Sequence, residues 1–238
     1  MKSLAICCPS TGGHEGAQTT WADTMSRPHP ILINDMREGE KAGFLTKCET
    51  FRYETDAEVI GYLHSDLYTH EHGWDKRVLD QFEDERVAVV GVVGATGLAH
   101  EDLYKLPFHF TQLARYGVIG NLTDMEVHGE RFTGSKDVAV VDSCAVFVRT
   151  AFINAIGGWP CTTYPNSSHC SDLWLCCMCH RLARTVRMVG ISCTHRSGGK
   201  GEAGSRWLEQ HGGDSNHHQQ AHRLIYEDFR DVLPIRIA

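Results

Sequence analysis

A chain of 238 residues, 42% of them hydrophobic, can bury one sizeable core, and a single α/β domain over residues 1–238 is expected. The net charge of −7 excludes a global attraction to nucleic acid or anionic membranes. No run approaches the roughly 18 continuous apolar residues of a membrane span. The first residues lack a long apolar region followed by a small-residue cleavage site, so a cytoplasmic protein without an integral membrane segment is expected.

Leu4 to Cys8 reads as a first strand, ending in the turn-rich Pro9-Ser10-Thr11-Gly12-Gly13. Glu15 to Met25 reads as a helix, Pro30 to Ile33 as a strand running into Asn34-Asp35, and Lys41 to Phe51 as a second helix. Val59 to Leu63 is a short apolar run that breaks into His64-Ser65-Asp66, a buried strand delivering a carboxylate to the sheet's carboxyl edge. With histidines crowding that turn, a metal is the first ligand to expect there. Three strands joined by helices indicate a mostly parallel, nucleotide-binding type of sheet. No G-x-G-x-x-G follows the first strand and no G-x4-G-K-[ST] occurs, which argues against the common dinucleotide and P-loop sites.

Trp74 to Phe82 reads as a helix and Val87 to Val93 as a strand buried on both faces. Residues 98 to 136 show no clear period, and their aromatic content favours a functional loop region. Val138 to Val148 reads as a strand interrupted by Asp142-Ser143, where Asp142 serves either as a structural acceptor or in substrate binding. Gly157-Gly158-Trp159-Pro160 forms a turn before a loop, Cys161 to Cys170, that would face an acceptor. Ser171-Asp172 caps a helix, Leu173 to Arg184, with Asp172 either a capping group or a general base. Val186 to Cys193 is a last core strand ending in Thr194-His195. The glycine-rich basic run Arg196 to Gly201 suits a lid over phosphates, and Asp214 to Val232 is a closing helix. Between Arg181 and Arg206 six basic residues face one acid, Glu202, which points to an anionic ligand or to solvated charge.

The ten cysteines read first as reduced, buried thiols. The alternative is a structural zinc on Cys176 and Cys179 with His169, Cys170, Cys193 or His195. Against it, the C-x2-C pair falls within a helix and no second clean pair follows.

In order, these pieces resemble GT-A fold glycosyltransferases, and the chain is similar to glycosyltransferase family 2 and its short single-domain relatives. Cys8-Pro9-Ser10 resembles that family's nucleotide-binding strand end, and Asn34-Asp35, with Gly39 and Lys41, its base-contacting aspartate. His64-Ser65-Asp66 before Gly73-Trp74 resembles the metal-binding D-x-D segment, with histidine first. Val141-Asp142-Ser143, Gly157 to Pro160, Ser171-Asp172 and Thr194-His195 resemble the acceptor strand, acceptor loop, catalytic acid motif and late histidine.

The resemblance implies a nucleotide-sugar half over about 1–97, an acceptor and catalytic half over about 98–204, and the C-terminal helix. It implies a UDP-sugar or related donor bound by Pro9, Ser10, Asp35, Lys41, His64, Ser65, Arg196 and Lys200. Mn2+ or Mg2+ would be held by Asp66 and His195, with His64 a ligand or a neighbour of the ligands. Asp142, Gly158 and Trp159 would contact the acceptor, and Asp172 would be the base of an inverting transfer. Rival readings are a nucleotidyltransferase, which would be expected to carry Lys or Arg in the Thr11 to Gly16 loop, and an inactive nucleotide-sugar-binding module, kept open by His64 and Ser171. The acceptor stays open among glycan, lipid-linked sugar, protein hydroxyl and modified nucleobase.

Overall fold

The computed structural model describes residues 2–10, 15–35, 44–98, 117–123, 129–162, 171–196, 224–225 and 227–238. The first part runs β1 (Leu4–Ser10), α1 (Glu15–Thr24), β2 (Ile31–Asp35), α2 (Phe44–Glu54), β3 (Val59–Leu63), β4 (Leu67–Thr69) and α3 (Trp74–Gln81). It continues through β5 (Val87–Gly91), β6 (Val93–Ala95), β7 (Gly97–Leu98), β8 (Val118–Gly120), β9 (Glu130–Arg131), β10 (Ser135–Asp137) and β11 (Val140–Val141). The rest comprises β12 (Ala145–Arg149), α4 (Thr150–Ala155), α5 (Ser171–Arg181), β13 (Thr185–Val189), β14 (Cys193–His195) and β15 (Ile235–Arg236).

A seven-stranded sheet, ordered β10-β13-β5-β12-β3-β1-β2, forms the centre. Strands β1, β2, β3, β5 and β13 run one way; β12 lies antiparallel between β3 and β5, and β10 antiparallel on the edge. The sheet is mostly parallel, as expected, and the two antiparallel strands make it a mixed one. Strands β3 and β5 are buried along their whole length, as uninterrupted apolar runs covered on both faces must be. Trp21 of α1 and Trp74 of α3 are fully buried, and Trp74 packs against Phe147 of β12 with ring centroids 5.8 Å apart.

Several predicted elements divide differently. The Val87 to Val93 run ends as β5 at Gly91, and its last residue starts β6 in a four-stranded sheet, β11-β6-β8-β9. Gly91 has to be glycine, because a Cβ there would run into the Val141 side chain. The predicted strand Val138 to Val148 becomes β11 and β12 in two different sheets. The cause is local: Asp142 Oδ1 accepts the Cys144 N–H at 2.8 Å, an Asx-type turn that bends the chain between them. The Val186 to Cys193 strand stops at Val189, and Cys193 instead opens β14, which pairs with β4. Helix α5 starts two residues earlier than predicted and ends at Arg181, with Ala183 just beyond it at φ 52°. Of the predicted closing helix, helical backbone is described at Leu224, Ile225, Glu227 and Asp228; the chain turns from Phe229, then enters β15 against β7. Arg181 and Asp231 form an ion pair that ties this segment to the end of α5.

Cys176, Cys177 and Cys179 are buried in α5, and among the described residues no zinc-type cluster forms around Cys176 and Cys179; His169 and Cys170 lie outside the described residues. No described helix is long and apolar enough to cross a membrane.

Candidate metal and transfer site

The site grows from the end of β3. The His64 N–H donates to the Cys144 carbonyl at 3.0 Å, the last rung between β3 and β12. The His64 carbonyl then accepts the Leu67 N–H at 3.2 Å, a tight turn that carries Ser65 and Asp66 and reverses into β4. Trp21 Nε1 donates to the Leu67 carbonyl at 2.6 Å and anchors the turn to α1. Strand β14 pairs antiparallel with β4 so that His195 faces Leu67, and the Arg196 N–H donates to the Asp66 carbonyl at 3.0 Å. A residue 129 positions downstream of Asp66 (195 − 66) is thus set beside it by backbone pairing.

Three donors converge there. His195 Nε2 lies 3.2 Å from Asp66 Oδ1 and 3.3 Å from His64 Nδ1. Ligand atoms of all three side chains lie within 4.8 Å of one another. Two donors each about 2.1 Å from one ion and 90–110° apart are themselves about 3.0–3.4 Å apart, so both measured contacts suit adjacent positions on a single cation. Burial, then the neighbouring His195, pulls the His64 pKa below its ordinary 6.5, against the opposing pull of Asp66 and Asp142. A neutral imidazole with a free lone pair is the form that binds metal. Burial raises the Asp66 carboxyl, but the hydrogen bond and charge of His195, with His64, outweigh it and hold the group below 3.8. The carboxylate is ionised and half-exposed, at 36%. The donor set fits a divalent ion, with His64 in the set on the same footing as His195.

Beside this triad stands a pair of carboxylates, Asp172 and Asp142. Asp172, in the first turn of α5, accepts the Leu173 N–H at 2.8 Å through Oδ1 and the Ser143 N–H at 3.0 Å through Oδ2. Burial and the charge of Asp142 push its pKa up to about 7, against those two bonds. Asp142 lies on the same wall: ligand atoms of Asp142, Cys144 and His195 also fall within 4.8 Å of one another. The end of β1 reaches the same place, since the buried Cys8 thiol is pushed up to about 12, first by burial and then by the charge of Asp66.

The sequence-predicted residues divide between this place and others. Asp66, His195, His64, Ser65, Asp142 and Asp172 come together, and Arg196 sits at the rim with its guanidinium 4.2 Å above the Tyr68 ring. Pro9 is buried in β1 opposite Asn34, and Ser10 pairs with Asp35 along the backbone. Lys41 and Lys200 lie outside the described residues. Gly158 and Trp159 take a bracing position: Gly158 has φ +85° where a Cβ would meet the Glu49 carboxylate, and the Trp159 N–H donates to Glu49 Oε2 at 2.9 Å. Trp159 Nε1 donates to the Tyr62 hydroxyl at 3.1 Å, and its ring lies 6.1 Å from that of Trp174. Trp159 therefore ties β3 to α5, two residues before His64 and two after Asp172. Cys144 was not singled out as a site residue; its place two residues after Asp142, at the foot of the same turn, was the available signal. His70 and His72, which follow the same turn, are exposed.

No protein-family model matches this sequence, and no curated protein matches it. Solved structures do. The mannosyltransferase PcManGT from Pyrobaculum calidifontis, in complex with GDP-Man and Mn2+, is 9% identical over 97% of this chain and 68% of its own, at a TM-score of 0.57. GalNAc-T7, with UDP, GalNAc and Mn2+, is 9% identical over 82% of this chain at a TM-score of 0.56; the match spans 44% of its length. At such identity the likeness shows the fold alone: the chain has the mixed α/β architecture of GT-A glycosyltransferases.

Proposed function

We propose that the protein is a metal-dependent glycosyltransferase that moves a sugar from a nucleotide-diphosphate donor, with UDP-sugars the first to test, to an acceptor hydroxyl with inversion. The observation that carries this reading is the convergence of His64, Asp66 and His195 at the carboxyl end of β3, where open α/β sheets bind ligands. The fold, and the Mn2+ and nucleotides present in the two similar structures, support it.

His64, Asp66 and His195 would hold Mn2+ or Mg2+; two imidazoles beside one carboxylate tilt the choice toward Mn2+. When bound, the ion supplies charge neutralisation for the departing diphosphate. The chain's own groups do the rest. Pro9 and the β1–β2 carboxyl ends flank the nucleotide, and Arg196, braced on Tyr68, adds a fixed positive charge at the rim. Asp172 takes the proton of the acceptor hydroxyl. The acceptor oxygen then bonds to the anomeric carbon as the carbon–oxygen bond to the diphosphate breaks on the opposite face, and the electron pair leaves with the diphosphate. A base with a pKa of about 7 is half ionised at neutral pH and still basic enough to accept a proton in the transition state. The Ser143 and Leu173 N–H groups fix its two oxygens, so its aim is set before the acceptor arrives.

The test is a thermal-shift panel of nucleotide sugars with and without Mn2+. A ligand at 100 times its Kd stabilises by about 2.7 kcal/mol, so a Mn2+-dependent rise with one nucleotide class is expected. A panel in which no nucleotide sugar shifts the midpoint, with or without Mn2+, overturns the reading.

A further inference from the structure

The triad engages His195 through Nε2. On the wall beside it lie Asp142 and Cys144, and ligand atoms of these two residues and His195 lie within 4.8 Å of one another. We propose that Asp142, Cys144 and His195 form a second metal position, distinct from the His64–Asp66–His195 triad and selective for a borderline or thiophilic dication such as Zn2+.

The residues are placed for it by the turn that splits β11 from β12. Asp142 is held by its N–H to the Val93 carbonyl at 3.1 Å, and its Oδ1 accepts the Cys144 N–H at 2.8 Å. This bond folds the carboxylate back over the residue two positions on, so carboxylate and thiol are presented together. Cys144 is fully buried while Asp142 and His195 are half-buried, so an ion entering from solvent meets oxygen and nitrogen first and sulfur at the floor. A tetrahedral ion with one sulfur, one nitrogen and one oxygen donor sets those donors about 3.4–3.6 Å apart. The ligand atoms lie within 4.8 Å of one another, so they close by at most about 1.4 Å to reach that spacing. A sulfur, nitrogen and oxygen set is one that Mg2+ does not take and Zn2+ does. Thiolate binding releases the thiol proton to solvent.

Both positions draw on His195. Ions at the two would compete for that ring, or would sit one imidazole apart with two like charges repelling. Occupation of the thiolate position therefore opposes occupation of the triad, and Zn2+ acts as a brake on a Mn2+-loaded protein. The brake, though not the site itself, rests on the sugar-transferase reading.

The full chain titrated with Co2+ tests the site. The wild type is expected to show a near-ultraviolet thiolate-to-cobalt charge-transfer band. Cys144→Ser should lose it, and Asp142→Asn should bind Co2+ on the order of tenfold or more weakly. Asp66→Asn, which removes a ligand of the triad and none of the thiolate position, should keep the band. No thiolate band in the wild type, a band undiminished in a folded Cys144→Ser protein, or a band lost in Asp66→Asn overturns the proposal. Should Cys144→Ser fail to fold by circular dichroism, unchanged Co2+ affinity in Asp142→Asn overturns it instead. The band does not depend on any nucleotide sugar, so failure of the transferase reading leaves it in place. Zn2+ added to the turning-over protein should inhibit the wild type at least about tenfold more strongly than Cys144→Ser, and equal sensitivity overturns the brake.

Discussion

Two aspartate–histidine pairs lie nine residues apart, on either side of β4, and they do opposite things. Asp75, at the start of α3, is fully buried: Oδ1 accepts the Ser26 N–H at 2.7 Å, and Oδ2 accepts the Ser26 hydroxyl at 2.6 Å and pairs with His29 Nε2 at 2.9 Å. Burial raises its pKa, but the bonds from Ser26 and His29 outweigh that and hold it below 3.8. Its bonds to Ser26 and His29 join α3 to the chain after α1. Asp66 keeps 36% of its side chain exposed, and its contact to His195 is longer, at 3.2 Å. In the first pair the partners saturate the carboxylate; in the second they surround a point that solvent can reach. Saturation marks structure, and convergence on an open point is what a ligand site would require, although the residue types are the same.

The sharpest way to break this comparison is to remove each carboxylate. Asp75→Ala leaves His29 buried without its partner and should cost about 3–5 kcal/mol of stability in denaturant titration, with Mn2+ affinity of the folded fraction unchanged. The pairing also has a pH signature. Because the folded pKa of Asp75 is lowered, its stabilisation is complete above its ordinary 3.8 and fades as pH falls through the lower folded value. Acid unfolding of the wild type and of Asp75→Ala should therefore converge below about pH 4; parallel curves would sink the assignment.

Next in size is Asp172→Asn, expected to lower turnover about 10²–10⁴-fold, equivalent to ~3–5 kcal/mol of barrier. In the wild type, kcat/KM should rise with pH through about 7 as Asp172 loses its proton. Asp142→Asn should move that midpoint to lower pH, because it removes the negative charge that helps raise it. A midpoint that moves up, or stays put, would show that Asp142 does not act on Asp172.

Asp66→Ala should lower Mn2+ affinity at least about 10–100-fold in calorimetry and abolish the metal-dependent thermal shift, with little change in stability without metal. His64→Ala should behave alike, and a His64 variant that binds Mn2+ normally would return that residue to a bystander. The smallest effect is expected from Arg196→Ala: a several-fold rise in donor KM with kcat nearly kept, in line with about 0.5–1 kcal/mol for an exposed cation on an aromatic face.

The part of this legible in sequence is the part set by local pattern. The apolar run of β3 ending at an acid, the buried valines of β5 and the break at Asp142-Ser143 each have a near-neighbour cause. The divisions at Gly91 and Val189 were not legible, because both arise from elements packing across the sheet rather than from period. The standing of His64 was likewise out of reach. An alternation argument places its side chain with Asp66 only if the strand continues, and the chain instead turns at His64. What settles its position is His195, 131 residues away (195 − 64), and that distance is bridged by the pairing of two three-residue strands. Trp159 was expected at the acceptor, whereas its indole is used up on Tyr62 and its N–H on Glu49.

That small ladder has a consequence for breathing of the native protein. Strand β14 lies outside the seven-stranded sheet and is held to β4 by three residue pairs, Cys193–Thr69, Thr194–Tyr68 and His195–Leu67. Apart from these pairs it is bonded to Asn121 and Thr123 and leaves the seven-stranded sheet untouched when it separates, so amide hydrogens of this pair should exchange through a local opening cheaper than global unfolding. An ion bound by His195 of β14 and by the His64–Asp66 turn that leads into β4 would close that opening from the outside, and deuterium uptake at β4 and β14 becomes a direct gauge of how firmly the two halves of the site are latched.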